Sequence, residues 1–560
     1  MVYVLSLLAL SLLLPTSSFT QTTPIDVREA TISSIHSSLF SGLTTCRGIV
    51  SAFIARIERF NPDINAIITL NPDALSIADS LDESLSRGNA TGPLFCIPIL
   101  LKDNYDALPM PSTGGCLALN ASKPAQDGPA VRAFRDAGAV ILGKSNLHEL
   151  ALEGLSVSSL GGQTINPYDF TRTPGGSSGG TGAAVAASFA VFGTGTDTVN
   201  SLRSPASANS LFSFRPTRGL ISRAGVIPIS YTQDTIGAIG RCPLDIATAL
   251  TVMASVGYDP ADNVTSAIPP SVLGTDYTSF ISQGVRANLT GIRVGVLEGF
   301  FNRMASNETT PVNNAMDNVI SMLQSHGASV IYINDTTTYN ATSISAQMDV
   351  QTSEYREMLN HYLSTDNLTG PHPRTMPQLY TRNQSTPEFL VIPSQYSYVE
   401  TALVSSTSNA SYYLKQSLIA NLTRSLHATI LTNKLSCVIY PEQKNLVVPI
   451  GSPSQSGRNG ILAALTGSPV ITMPIGFSPP STTAPIGIPV GMEILGLPWS
   501  EGTLLQVAKA IDDVLHARRM PVTAGLNETV EVTKAYTQVP RVLPLGAKNV
   551  DKAAYPLGVY

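Results

Sequence analysis

Pro174-Gly175-Gly176-Ser177-Ser178-Gly179-Gly180 runs within a few residues into Ala183-Ala184-Val185-Ala186-Ala187. The second piece reads as a helix of small residues able to pack very closely, and the first as backbone that approaches another segment or a ligand. Gly175-Gly176-Ser177-Ser178-Gly179 also satisfies Gly-x-Ser-x-Gly, the nucleophile elbow of α/β-hydrolases. An elbow follows a strand, however, and residues 166–174 are mostly polar and broken by Pro167 and Pro174. It also needs a later acid and a histidine, and His427 and His516 sit in no recognisable loop. An α/β-hydrolase esterase is therefore the weaker reading.

Outward from this stretch, strands and helices alternate. Residues 98–101 and 137–142 are short apolar runs that read as buried strands, with Val131, Phe134 and Ala137 at helical spacing between them. Ile49, Val50, Phe53, Ile54 and Ile57 predict an amphipathic helix over 46–60, ended by Asn61-Pro62. Residues 191–203, with Gly193 and Gly195, read as a loop. The texture returns near the C-terminus, with strands at 470–474 and 487–497 and a helix over 503–516. This alternation favours an α/β sheet covered on both faces, and no internal repeat interrupts it.

Three pieces carry the chemistry: Pro93-Leu94-Phe95-Cys96-Ile97-Pro98-Ile99-Leu100-Leu101-Lys102-Asp103, the 174–180 stretch, and Gly195-Thr196-Asp197-Thr198-Val199-Asn200-Ser201-Leu202-Arg203. Lys102 and Ser177 lie 75 positions apart, Ser177 and Ser201 24 apart. With Gly143-Lys144-Ser145-Asn146, Arg215-Pro216-Thr217-Arg218-Gly219, Pro228-Ile229-Ser230-Tyr231-Thr232-Gln233-Asp234, Gly467-Ser468-Pro469-Val470 and Pro489-Val490-Gly491-Met492, the chain resembles the amidase signature family over most of 27–520. The run 215–234 looks closest to the peptide-amidase branch. The resemblance implies an α/β fold with a large mixed, twisted β-sheet flanked by α-helices on both faces (α/β/α), as a single domain over 27–540. Within it lie a signature core at about 92–250, a variable region at about 263–421 and a return to the core at about 435–520. It replaces the several domains that 560 residues alone would suggest.

The same resemblance implies a catalytic triad of Lys102, Ser177 and Ser201, with a cis peptide between Gly176 and Ser177. Ser178 then steadies the loop, Asp197 and Arg203 anchor the segment that carries Ser201, and the backbone N–H groups of Thr198, Val199, Asn200 and Ser201 form an oxyanion hole. The chemistry supports these roles independently. A serine hydroxyl needs a base, and lysine serves only when neutral, which burial favours by penalising the ammonium form. The apolar run before Lys102 is suited to carry it inside, and Ser177 is suited to relay the proton between Ser201 and Lys102 and return it to the leaving amine.

Three departures stand out. Val199-Asn200 occupies a place where relatives usually carry Gly-Gly, and a β-branched valine resists positive φ, so either the loop keeps negative φ or the hole is altered. Cys96 stands where glycine is common, and Leu211-Phe212-Ser213-Phe214 replaces a glycine-containing segment; both read as core decoration. An amide hydrolase acting on linear carbon–nitrogen bonds other than peptide bonds is the leading expectation. Acyl transfer to an amine or alcohol through the same acyl-enzyme is the alternative, and a binding protein with impaired catalysis is a third reading.

Composition limits the partners. Apolar residues make up 43% and charged residues 13%, enough to bury a large core, and the net charge of -5 argues against nucleic acid, whose backbone demands concentrated Lys and Arg. The expected partner is a small-molecule or peptide amide. No metal-ligand or nucleotide motif occurs, so no cofactor and no metal are expected. Cys46, Cys96, Cys116, Cys242 and Cys437 allow at most two bridges, with the pairing open. Residues 4–14 are apolar apart from Ser6 and Ser11, too short a run to span a bilayer, and read with Ser18 and Thr20 as a signal peptide over 1–20. Twelve Asn-X-Ser/Thr sequons, at Asn89, Asn120, Asn263, Asn288, Asn307, Asn334, Asn340, Asn367, Asn383, Asn409, Asn421 and Asn527, point the same way, toward a secreted glycoprotein. Nine fall between 263 and 421, which predicts a mostly exposed middle region. Oligomeric state leaves no mark in the sequence.

Overall fold

Successive residues of a strand point to opposite faces of a sheet, so a strand buried at every position is covered on both sides. Pro98–Lys102, Val140–Ser145, Phe192–Asp197, Thr235–Gly240 and Pro489–Leu495 are each buried throughout. In the computed structural model, which describes residues 25–282, 289–381 and 388–558, these strands belong to one mixed eleven-stranded sheet flanked by helices.

In chain order its strands are β1 (Ile67–Leu70), β2 (Pro98–Lys102), β3 (Val140–Ser145), β4 (Phe192–Asp197), β5 (Phe212–Arg215), β6 (Thr235–Gly240), β7 (Arg293–Leu297), β8 (Ser329–Ile333), β9 (Cys437–Pro441), β10 (Val470–Phe477) and β11 (Pro489–Leu495). Across the sheet they run β1-β3-β2-β4-β6-β5-β10-β11-β9-β7-β8. The trios β3-β2-β4 and β9-β7-β8 are parallel and the remaining neighbours antiparallel. The strands that carry the site motifs, β2 and β4, are thus adjacent near one end of the sheet.

Six local expectations are corrected. The helix expected over 46–60 does not stop at Asn61-Pro62 but spans Cys46–Ile64. Proline removes one N–H, yet Ile64 is fully buried and Asn61 Oδ1 accepts the N–H groups of Ala66 and Ile67 at 2.8 and 2.9 Å, so tertiary contacts hold the last turn. Asn65, at φ 55°, closes it. The segment 191–203 is a strand to Asp197, not a loop throughout, because its glycines admit close neighbours. A Cβ on Gly193 would lie 2.6 Å from Thr181 Cγ2, and one on Gly195 2.8 Å from Ser178 Oγ. The strand expected over 137–142 begins only at Val140, after a turn through Gly138 at φ 88°. Those expected at 470–474 and 487–497 run Val470–Phe477 and Pro489–Leu495, and the helix expected over 503–516 runs Glu501–Leu515.

Cys46 and Cys96 form a disulfide, so Cys96, at φ 59°, ties the entrance of β2 to the helix Cys46–Ile64. Cys116, Cys242 and Cys437 are free thiols. The 211–214 run enters β5, where Leu211, Phe212 and Phe214 are buried in the core. Residues 1–20, Asn288 and Asn383 lie outside the described residues. Of the described sequon asparagines, Asn89, Asn120, Asn263, Asn307, Asn334, Asn409, Asn421 and Asn527 are exposed, and Asn340 and Asn367 are half-buried. No helix of the described residues is long and apolar enough to cross a membrane.

Candidate active site

The apolar run of β2 carries Lys102 to the strand's end with no exposed surface. Its backbone N–H donates to Thr194 Oγ1 at 3.1 Å, and its Nζ lies 2.7 Å from Ser177 Oγ and 2.8 Å from Thr196 Oγ1. Thr194 and Thr196 alternate along β4, the neighbouring strand. Burial brings the Lys102 ammonium down to about 7, a shift that the carboxylates of Asp197 and Asp234 oppose. The second buried lysine of the motifs, Lys144, meets a carboxylate instead: its Nζ is 2.9 Å from Asp103 Oδ1.

Ser177 is fully buried and follows a cis peptide from Gly176. That placement differs from an elbow serine, which projects from a sheet toward solvent. Its side-chain partner is a lysine, and His427 lies away from it on the helix Ala410–Thr432. The helix Gly179–Ala186 begins at once, and its glycines admit the 145–146 backbone: a Cβ on Gly180 would collide with Asn146 O. Ser178 Oγ bridges to the backbone of Thr196 at 3.4 Å on both its N–H and its carbonyl. Ser178 N donates to Ser201 O at 3.3 Å, which holds the two loops side by side.

Ser201 lies in the turn between β4 and the short helix Arg203–Ala208. Arg203 is wholly buried and clamps both ends of that turn. Its Nε and Nη2 reach Asp197 Oδ2 and Oδ1 at 3.0 and 2.9 Å, Nη2 donates to Val199 O, and Nη1 takes both oxygens of Glu493 at 2.8 Å. Arg215 Nη1 adds a contact to Asp197 Oδ1 at 3.1 Å. Burial opposes ionisation of Asp197, but Arg203 and Arg215 outweigh it and hold the carboxyl below its usual range. Thr198 is fixed by its hydroxyl, which donates to Asp234 Oδ1 at 2.6 Å.

Neither Val199 nor Asn200 takes a positive φ, so the loop resolves the first departure by keeping ordinary backbone. Among the described residues, the N–H groups of Thr198, Val199, Asn200 and Ser201 donate to no protein acceptor. They are adjacent donors beside a serine that is 8% exposed. Ser201, Val199 and Thr198 line a cavity of about 510 Å³ together with Glu153, Gln455 and Arg458. A second cavity, of about 490 Å³, reaches Thr196 and Thr198 past Ile227, Ile236 and Tyr362. A serine hydroxyl on a cavity wall, next to N–H groups with no protein acceptor, is an arrangement that suits attack on a carbonyl.

Of the sequence-predicted residues, Lys102 and Ser177 form one hydrogen-bonded group with Thr196, Arg203 is paired with Asp197, and the loop carrying Ser201 is bonded to Ser178. The sequence reading missed Thr196 as a partner of Lys102, Asp234 as the anchor of Thr198, and Arg215 and Glu493 as the outer members of the Arg203 cluster. Thr196 left no mark, because residues 191–203 read as a loop and a loop names no strand neighbour for Lys102. Glu493 lies 290 positions from Arg203 and carries no local mark. No group of three or more His, Cys, Asp or Glu side chains suited to a metal ion occurs among the described residues.

Comparison with known proteins places this geometry in context. The amidase family model matches residues 48–505. A glutamyl-tRNA(Gln) amidotransferase subunit from Hahella chejuensis is 32% identical over 489 residues, covering 85% of this chain and 95% of the relative. Its chloroplastic/mitochondrial counterpart from Sorghum bicolor is 29% identical over 507 residues, 87% of this chain and 89% of the relative. Among solved structures, native peptide amidase from Stenotrophomonas maltophilia superimposes with a TM-score of 0.75 at 31% identity, covering 89% of this chain and 99% of its own.

Proposed function

The chain belongs to the amidase family, and from that premise we propose that it cleaves linear amides other than peptide bonds through an acyl-enzyme on Ser201. Ser201 Oγ attacks the amide carbon as its proton passes to Ser177 Oγ and the Ser177 proton passes to neutral Lys102 Nζ. The carbonyl oxygen becomes an oxyanion facing the free N–H groups of residues 198–201. The C–N bond then breaks, the proton returns through Ser177 to the departing nitrogen, and water repeats the sequence on the ester to release the acid. One observation carries the reading: a lysine with no exposed surface lies 2.7 Å from Ser177 Oγ, on a loop bonded to that of Ser201.

A small fluorophosphonate tests it without a known substrate. We expect a single adduct on Ser201, found by peptide mass spectrometry, and a labelling rate about 10²- to 10⁴-fold lower in Lys102→Ala. An adduct on Ser177, or labelling indifferent to Lys102, overturns the assignment. The amidotransferase relatives favour one further outcome, passage of the acyl group to an added amine, which product analysis with and without hydroxylamine separates from hydrolysis. The sequons and the Cys46–Cys96 bridge support a setting in the secretory lumen or outside the cell, where disulfides persist.

A further inference from the structure

Val199 and Asn200 each have a use for the side chain that a glycine would lack. Val199 packs against the apolar cluster of Leu297, Phe300 and Leu462. Asn200 is 1% exposed; its carbonyl accepts Arg203 N at 3.0 Å and Ser204 N at 2.8 Å, which starts the following helix, and its Nδ2 donates to Glu442 Oε1 at 3.2 Å. Glu442, fully buried just beyond β9, is pinned by its own N–H, which donates to Gly491 O at 3.1 Å. Its other oxygen, Oε2, has no protein partner among the described residues. Across the turn, Gly460 lies so close that a Cβ there would strike Asn200 Cβ at 2.5 Å. The 198–201 turn is thus gripped from outside by residues remote in sequence.

We infer that Glu442 is a positioning residue for the proposed reaction: by accepting the Asn200 side-chain amide it fixes the peptide planes whose N–H groups receive the oxyanion. This rests on Ser201 being the nucleophile. An acceptor without a full negative charge holds the Asn200 amide without adding to the repulsion of a developing oxyanion. The charged and titratable groups around Glu442 are Arg203, Glu493, Asp197 and Tyr440. Burial, reinforced by the charge of Glu493 and opposed by Arg203, pushes the Glu442 carboxyl up to about 8, so at neutral pH it is mostly a neutral acid whose carbonyl oxygen still accepts the amide.

The probe is the same fluorophosphonate, whose phosphoryl oxygen occupies the oxyanion position, with the maximal labelling rate and the half-saturating concentration measured separately at pH 7. Glu442→Ala is expected to lower the maximal rate about 10- to 100-fold, short of or equal to the loss of one donor, with the half-saturating concentration changed by less than about threefold. Glu442→Gln, which keeps an acceptor in place, recovers most of that loss. In an Asn200→Gly background the tether is already gone, and adding Glu442→Ala lowers the rate by less than about threefold, the coupling expected of two groups acting as one. Equal losses in both backgrounds, or a rise in half-saturating concentration alone, overturn the inference. If Glu442→Ala fails to fold, Asn200→Gly reads the same tether with the carboxyl intact, and an undiminished maximal rate in that variant overturns it too. A wild-type protein that is folded but unlabelled removes the Ser201 reading and this inference with it, whereas a labelled wild type with insensitive variants removes this inference alone.

Discussion

Lys102 is held among hydroxyls rather than carboxylates, and that choice of partner sets its chemistry. Thr196 and Ser177 satisfy its Nζ without supplying the negative charge that would restore the ammonium. With the ammonium brought down to about 7, the rate of Ser201 phosphonylation should rise with pH through about 7 and level off above it, because only the neutral amine accepts a proton. The same shift has a consequence for stability. An unfolded lysine near 10.5 holds its proton where the folded one has lost it, so between about 7 and 10.5 the unfolded state binds more protons and stability rises with pH. Guanidinium unfolding at pH 7 and pH 9 should show the wild type gaining more than Lys102→Met, and an identical gain in both would contradict a depressed lysine. Lys102, Ser177 and Ser201 were legible in the sequence because each sits in a short motif whose residue types have few other uses together. Thr196, Asp234 and Glu442 were not, since each matters through one contact with a side chain that the sheet order brings near.

At the scale of elements, strand alternation near β2, β3 and the C-terminal strands was visible as apolar runs, and the close-packed helix after Ser177 as a run of small residues. What misled was glycine and proline read as punctuation. Gly193 and Gly195 are interior strand residues that make room for Thr181 and Ser178, and Pro62 lies inside a helix whose last turn is held by burial. Cys96 shows the opposite substitution: a position at φ 59°, easy for glycine, is held by a disulfide to Cys46 across a separation of 50 residues. Closing a loop of that length restricts the unfolded chain by about 4 kcal/mol in the chain-entropy account. The double variant Cys46→Ser, Cys96→Ser should therefore lose up to about that much unfolding free energy in guanidinium titration. A midpoint unchanged from the oxidised wild type would show that the bridge is not formed in the protein as produced.

At the scale of the whole molecule, the order of the sheet accounts for where the sequons fall. Strands from residue 67 to residue 495 share one sheet, and β2, β4 and the turn after β4 are buried in it, so the stretch from 121 to 262 is largely interior and carries no sequon. Exposed asparagines lie at the rim and in the middle region, as the clustering of sequons predicts. Asn367 differs from them: its Nδ2, the atom a glycan would occupy, donates to Asp106 Oδ2 at 3.2 Å, and both residues line the cavity that reaches Thr196 and Thr198. A glycan there would take one of the two Nδ2 hydrogens, crowd that contact and start at the chamber lining. When the protein is made in a eukaryotic secretory host and released from its glycans enzymatically in oxygen-18 water, labelled aspartate should appear among Asn89, Asn120, Asn263, Asn307, Asn334, Asn409, Asn421 and Asn527, and not at Asn367. Occupancy at Asn367 would mean that the cavity wall opens before the fold closes. Absence at every exposed position would remove the glycoprotein reading and leave the disulfide as the remaining support for an oxidising compartment.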